Sequence, residues 1–195
     1  AVPRIRLRDP LAEFLGAFEG GVIEYAYLDA VRLAGHSCPT VASAYWLTRQ
    51  ALRALYPDVL PERGGVRVAF REPATAGVTG VIANVVSLLT GVTVDTGFKG
   101  LAGRFDRRGL LDFDARQPLD LRFTRVDTGA AVDAVAHLRQ VPADPQMAPL
   151  MQACIKGEAS ADEARHFGQL WQDRVRRVLL EHGDDPQIFV IRPAA

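Results

Sequence analysis

Cysteine, lysine and net charge are what this sequence has least of. Two cysteines in 195 residues, Cys38 and Cys154, cannot build a disulfide framework or a four-cysteine zinc finger. Lys99 and Lys156 are the only lysines, so 21 of the 23 basic residues are arginines, a pattern of coding bias more than of function. Acidic residues also number 23. The zero balance excludes a nucleic-acid binder that relies on a broad positive field. No charge at all lies between Pro73 and Val94. A membrane helix needs about 20 predominantly apolar residues, whereas this stretch is interrupted by Thr75, Thr79, Asn84, Ser87, Thr90, Thr93 and three glycines. It predicts a buried helix with polar loops at its ends, and no membrane partner. The opening Ala1-Val-Pro-Arg-Ile-Arg-Leu-Arg has charge without the apolar run of a secretory signal, so a cytoplasmic protein is expected. Also missing are a phosphate-binding Gly-rich loop, HExxH, GxSxG and CxxCH.

What is present is an ordinary globule, 48% hydrophobic and 24% charged. At this length a single core suffices without metal or disulfide. Asp9-Pro10 opens a short amphipathic helix to about Phe18, with the carboxylate as cap. Val22–Leu28 is rich in β-formers and reads as a strand. Thr40–Leu55 keeps helical spacing after the turn Gly35-His36-Ser37-Cys38-Pro39. Val66–Phe70 alternates as a strand, and Val78–Thr90 reads as a buried helix. Leu101–Phe105 and Leu110–Phe113 flank Asp106-Arg107-Arg108-Gly109 as a hairpin. Strands follow over 119–126 and 130–138. A proline-punctuated linker then leads to two helices, the second opened by Ser160 and Glu163 as a capping box and stopped at Gly183, and Gln187–Arg192 is a last strand. Strands joined mostly as hairpins predict an α+β fold with a largely antiparallel sheet. Residues 1–140 form the core, and 141–195 a C-terminal helical extension with a final strand.

One constellation carries chemistry. Cys38 stands at a helix N-terminus, where free backbone N–H groups and the macrodipole favour thiolate. His36 can aim at the same point. A soft sulfur with an imidazole nitrogen suits Zn, Cu or Fe better than Mg or Ca. Two protein ligands leave a tetrahedron incomplete, so further ligands, water, a second copy of the chain or a macrocycle are needed. A Cys-Pro thiolate or a histidine can also serve a haem iron as axial ligand. Cys38 as a nucleophile with His36 as base is a further option. Against all of these stands a purely structural turn, in which Cys38 is a small buried hydrophobe.

At these residues the chain resembles the FmdE family, named after a component of formylmethanofuran dehydrogenase. Gly35-His36-Ser37-Cys38-Pro39 matches its Gly-His-x-Cys-Pro-Gly turn until Thr40 replaces the last glycine. Leu89-Thr90-Gly91-Val92-Thr93 matches its second block, and Phe98-Lys99-Gly100-Leu101 matches loosely. Thr128-Gly129 sits at its later turn. The likeness covers roughly Asp29 to Val135. It implies an α+β core, often dimeric, whose cleft holds the His and Cys. It also implies association with molybdenum or tungsten enzymes, metal binding and, in some members, haem. Where the family often has a second cysteine and an aspartate, this chain has Val81 and Asn84. The resemblance places Thr40, Asn84 and Lys99 around the cleft. A homodimer is expected from the likeness and from the uncharged stretch, with a redox or molybdenum/tungsten enzyme as a further partner.

The leading expectation is thus a transition-metal or metallocofactor protein using His36 and Cys38. The alternatives are haem, a Cys38 enzyme, and an accessory protein whose site has decayed. Weaker signals have plainer accounts. Cys154 with Met147 and Met151 reads as core, His166 and Trp171 as helix-boundary residues, and His182 as a cation at a helix end. Arg165, Arg174, Arg176 and Arg177 form a basic face that reads as solvated but could meet propionates or an acidic partner.

Overall fold

The computed structural model describes residues 1–194. Two sheets and six α-helices make an α+β fold. β1 (Ile5–Arg8) and β2 (Val22–Tyr25) pair antiparallel as a separate ribbon. Between them lies α1 (Pro10–Phe14), capped by Asp9 as expected but ending four residues short of Phe18. The main sheet has the order β4-β3-β5-β6-β7, formed by β3 (Val66–Phe70), β4 (Leu111–Asp112), β5 (Leu121–Arg125), β6 (Ala131–Ala136) and β7 (Phe189–Pro193). All its pairings are antiparallel except β3–β4. Residues 189–193 therefore complete the core sheet from the far end of the chain, hydrogen-bonded to β6. Directly opposed Arg122 and Asp133 add a bidentate cross-strand pair at 2.7 and 2.9 Å.

α3 (Pro39–Leu55) is the central helix. It packs against α4 (Thr79–Thr90), α6 (Ala161–Leu180) and the β6–β7 side of the sheet. Its sequence is apolar on nearly every face, and twelve of its residues are buried, as a helix enclosed on all sides requires. Tyr45 is fully buried, and its hydroxyl donates to the carbonyls of Pro3 and Tyr25, tying the β1–β2 ribbon to α3. Burial pushes that phenol up to about 12. The Trp46 indole donates to the Leu179 carbonyl at 2.8 Å and holds α6 in place.

Two local expectations are corrected. Residues 27–34 form a helix, α2 (Tyr27–Ala34), where the β-formers of 22–28 suggested a longer strand. Asp29 explains the switch, because its carboxylate accepts the Ala26 N–H at 2.8 Å and fixes the first turn. Residues 101–113 are not a hairpin: 101 and 104 make only an isolated bridge, and β4 instead pairs parallel with β3. Distant sheet contacts override the local turn signal. The uncharged stretch forms the expected buried helix, with Thr79, Ala83, Val85, Val86, Leu89 and Thr90 inside the chain, while Val78 and Val94 at its ends stay about half exposed.

The two C-terminal helices, α5 (Met147–Lys156) and α6, form as expected, and Ser160 with Glu163 makes the capping box. The arginine face of α6 is only partly solvated. Arg174 donates to the carbonyls of Val141 and Leu138, and Arg177 to that of Pro142, so these side chains clamp the linker before α5. Burial, with Arg177 nearby, pushes the Arg174 guanidinium below its ordinary value. No helix among the described residues is long and apolar enough to cross a membrane.

Candidate functional site

α2 ends at Gly35, whose left-handed φ of 74° reverses the chain into the turn. Cys38 then adopts extended backbone as the cap of α3, with Pro39 at its first position. The turn is held from three directions. Tyr27 and Ser37 join hydroxyl to hydroxyl at 2.9 Å, and the Ser37 carbonyl accepts from Trp171 Nε1 and Gln172 Nε2, each at 3.0 Å. Burial raises the Tyr27 phenol above its ordinary value; the Ser37 bond opposes this and the nearby Cys38 adds to it.

His36 is exposed, and its Nδ1 lies 2.9 Å from the Ala34 carbonyl. A carbonyl only accepts, so Nδ1 carries the proton and Nε2 of the neutral ring keeps its lone pair. The ring lines a cleft of about 170 Å³ with Leu33, Ala34, Val81, Asn84 and Val85. His36, Val81 and Asn84 therefore share one cleft.

The other expected residues lie elsewhere. Cys38 is 8% exposed and belongs to the core; its Sγ accepts the Val41 N–H at 3.4 Å and does not line the cleft. Thr40 faces a different groove of about 680 Å³ beside Ser43, Leu47, Ile82, Leu121 and His137. Lys99 is exposed on the loop between α4 and β4 and lines neither space.

These positions limit the chemistry. The cleft at His36, about 170 Å³, is smaller than the roughly 300–1,000 Å³ that encloses an organic ligand. The larger groove has neither His36 nor Cys38 in its wall. His36 and Cys38 share no hydrogen bond, so this arrangement does not pair the thiol with that imidazole as its base. Among the described residues no three His, Cys, Asp or Glu side chains converge as a metal site. A single ion would fit the donor chemistry of His36, with its ring orientation set by a backbone carbonyl in the manner of metal-bound histidines. Completing its coordination takes donors beyond this cluster.

Sequence reasoning missed Tyr27, Trp171 and Gln172 as supports of the turn. It also missed a buried charge cluster of Asp9, Arg63 and Arg107. Asp9 was visible only as a helix cap. Arg107, read as a hairpin residue, pairs with a carboxylate 98 positions away, and no local signal announces that. A scan against protein-family models finds no match to this chain, and a search of curated proteins finds none either.

Proposed function

We propose that the protein binds one transition-metal ion, Zn or Fe, at the cleft beside the N-terminus of α3. His36 Nε2 is its nitrogen ligand, and the Cys38 thiolate is recruited from its capping position. The observation that carries this is the His36 ring, tied through Nδ1 to Ala34 and lining a cleft shared with Asn84. The resemblance over residues 35–39 and 89–93 supports it from the sequence side. Asn84 and water supply oxygen donors. A second copy of the chain supplies the rest by docking beside α2, where Leu28 and Leu33 are about half exposed. Binding of this kind would serve an accessory role toward a metalloenzyme as readily as a resident catalyst.

Cobalt titration of the full chain tests this, because Co²⁺ reports thiolate and imidazole ligation by colour. The expected result is saturable binding with a near-ultraviolet thiolate band. Cys38→Ser should abolish that band and His36→Ala should weaken binding at least about tenfold. Light scattering at saturation should show twice the chain mass. Unaltered cobalt binding in both variants would make the turn purely structural.

A further inference from the structure

A second cleft, away from His36, has the chemistry of an anion site. Asp9 Oδ1 accepts Arg107 Nη2 at 2.6 Å, and Oδ2 accepts Arg63 Nη1 at 3.1 Å. One buried carboxylate thus faces two guanidinium groups, and Arg107 is only 5% exposed. Three of their nitrogens, Arg107 Nε and Nη1 and Arg63 Nε, are shielded from water without any hydrogen-bond partner. Buried donors of charged groups are rarely left in this state unless an ion or water completes them.

The local backbone is shaped around these arginines. A Cβ on Gly64 would fall 1.7 Å from Arg107 Nη1, and Gly64 also has a φ of 81°, so glycine is required where the guanidinium lies against the chain. Above it opens a cleft of about 440 Å³, lined by Arg8, Arg63, Arg104, Arg107, Glu62 and Asp106. Besides Arg63 and Arg107, which share Asp9, two of these charges are already engaged, Arg8 with Glu13 and Asp106 with Arg108. Arg104 has no carboxylate partner among the described residues. Its guanidinium rests over the Phe105 ring at 4.7 Å. Phe105 itself sits at a φ of 65°, a conformation bulky side chains rarely adopt, and its ring packs against Phe14 at 5.4 Å. Strain of this kind is characteristic of ligand clamps.

We propose that this cleft binds a phosphate group. Guanidinium donors reach it from three chain segments, and a tetrahedral oxyanion with several acceptor oxygens uses donors from several directions better than a planar carboxylate does. Its charge balances the two cations that share Asp9. Arg104 closes on the anion from the rim, and Glu62 opposes it, setting a moderate affinity. The phosphate could be free or carried as a monoester on a small molecule, since the chemistry at the arginines is the same.

Calorimetric titration with inorganic phosphate, and separately with glycerol phosphate, tests this on the full chain at constant ionic strength with chloride as control. Saturable binding is expected. Arg104→Ala should weaken it about tenfold while leaving the melting temperature of the free protein unchanged, because Arg104 is exposed. Glu62→Gln should tighten it severalfold. Monoester binding tenfold tighter than phosphate would assign a phosphorylated small molecule, and equal binding would assign free phosphate; either upholds the site. Heats no larger than those of chloride, or unchanged binding in both variants, would overturn it. Cobalt binding at His36 should be unaffected by either substitution, so the two sites fail independently.

Discussion

Replacing Asp9 by asparagine keeps the helix cap but deletes the charge that two arginines share. Asn caps about as well as Asp, so the loss measured in Asp9→Asn belongs to the ion cluster. Removing one partner of a buried pair costs about 3–5 kcal/mol, because the remaining charge stays buried and unpaired. Arg63, with 22% of its side chain exposed, can relax toward water, whereas Arg107, at 6%, cannot. The cost therefore falls mainly on Arg107. Asp9→Ala should lose roughly a further 1 kcal/mol, the worth of a cap whose Oδ1 accepts the N–H groups of Leu11 and Ala12. For a chain of this size each kcal/mol shifts the melting temperature by about 2–4 °C, so Asp9→Asn should melt roughly 6–20 °C lower. Urea titration should show a lower midpoint at unchanged slope. Adding Arg107→Met to Asp9→Asn should recover part of the loss, giving a coupling between the two sites in a double-mutant cycle. An Asp9→Asn variant within about 1 kcal/mol of the parent would refute a buried charge cluster that stabilises the fold.

The same cluster sets a pH dependence. Burial alone would raise the Asp9 carboxyl, but Arg107 and then Arg63 outweigh it and hold it below the ordinary 3.8. A depressed folded value means that its stabilisation is complete above the ordinary value and is lost as pH falls through the folded value. The stability gap between parent and Asp9→Asn should therefore shrink in acid titrations below about pH 4 and stay constant above pH 5. Gly183→Ala should cost about 1–3 kcal/mol by thermal melting, because the added methyl would fall 2.3 Å from Trp46 Cε2 and force apart the indole that holds α6. Cys38→Ser should leave the metal-free protein near parental stability, since serine caps a helix well, whereas Cys38→Ala should lose roughly 1 kcal/mol in urea melts. Equal stability of the two variants would remove Cys38 from the capping role.

The elements that could be read in advance are those whose signals are local. The Ser160 and Glu163 box, the Asp9 cap and the apolar spacing of 40–55 all act within a turn or two of helix, and each appears where expected. α2 was hidden because the stretch from Val22 to Tyr27 is rich in β-formers, and a single carboxylate, Asp29, decides the matter. The pairing of β4 with β3 is a tertiary contact across some 40 residues that no turn residue encodes. At the His36 cleft, residues 36, 81 and 84 come together because α4 packs beside the end of α2, a tertiary contact that spacing does not encode. The positions of Thr40, Lys99 and Cys38 depend on which face of α3 or of a loop turns inward. Spacing alone does not fix that.

The Ser37 carbonyl has its two donors on Trp171 and Gln172, 134 and 135 positions later in the chain. During synthesis the His36 turn can be made, and α3 begun, long before those donors exist. The turn therefore receives its final anchoring only when α6 docks, and β7, which follows α6 in the chain, is made later still. A chain stalled before residue 171 would carry the sequence of the site without its latch. Under the proposed role, metal capture at His36 would then be tied to completion of the fold.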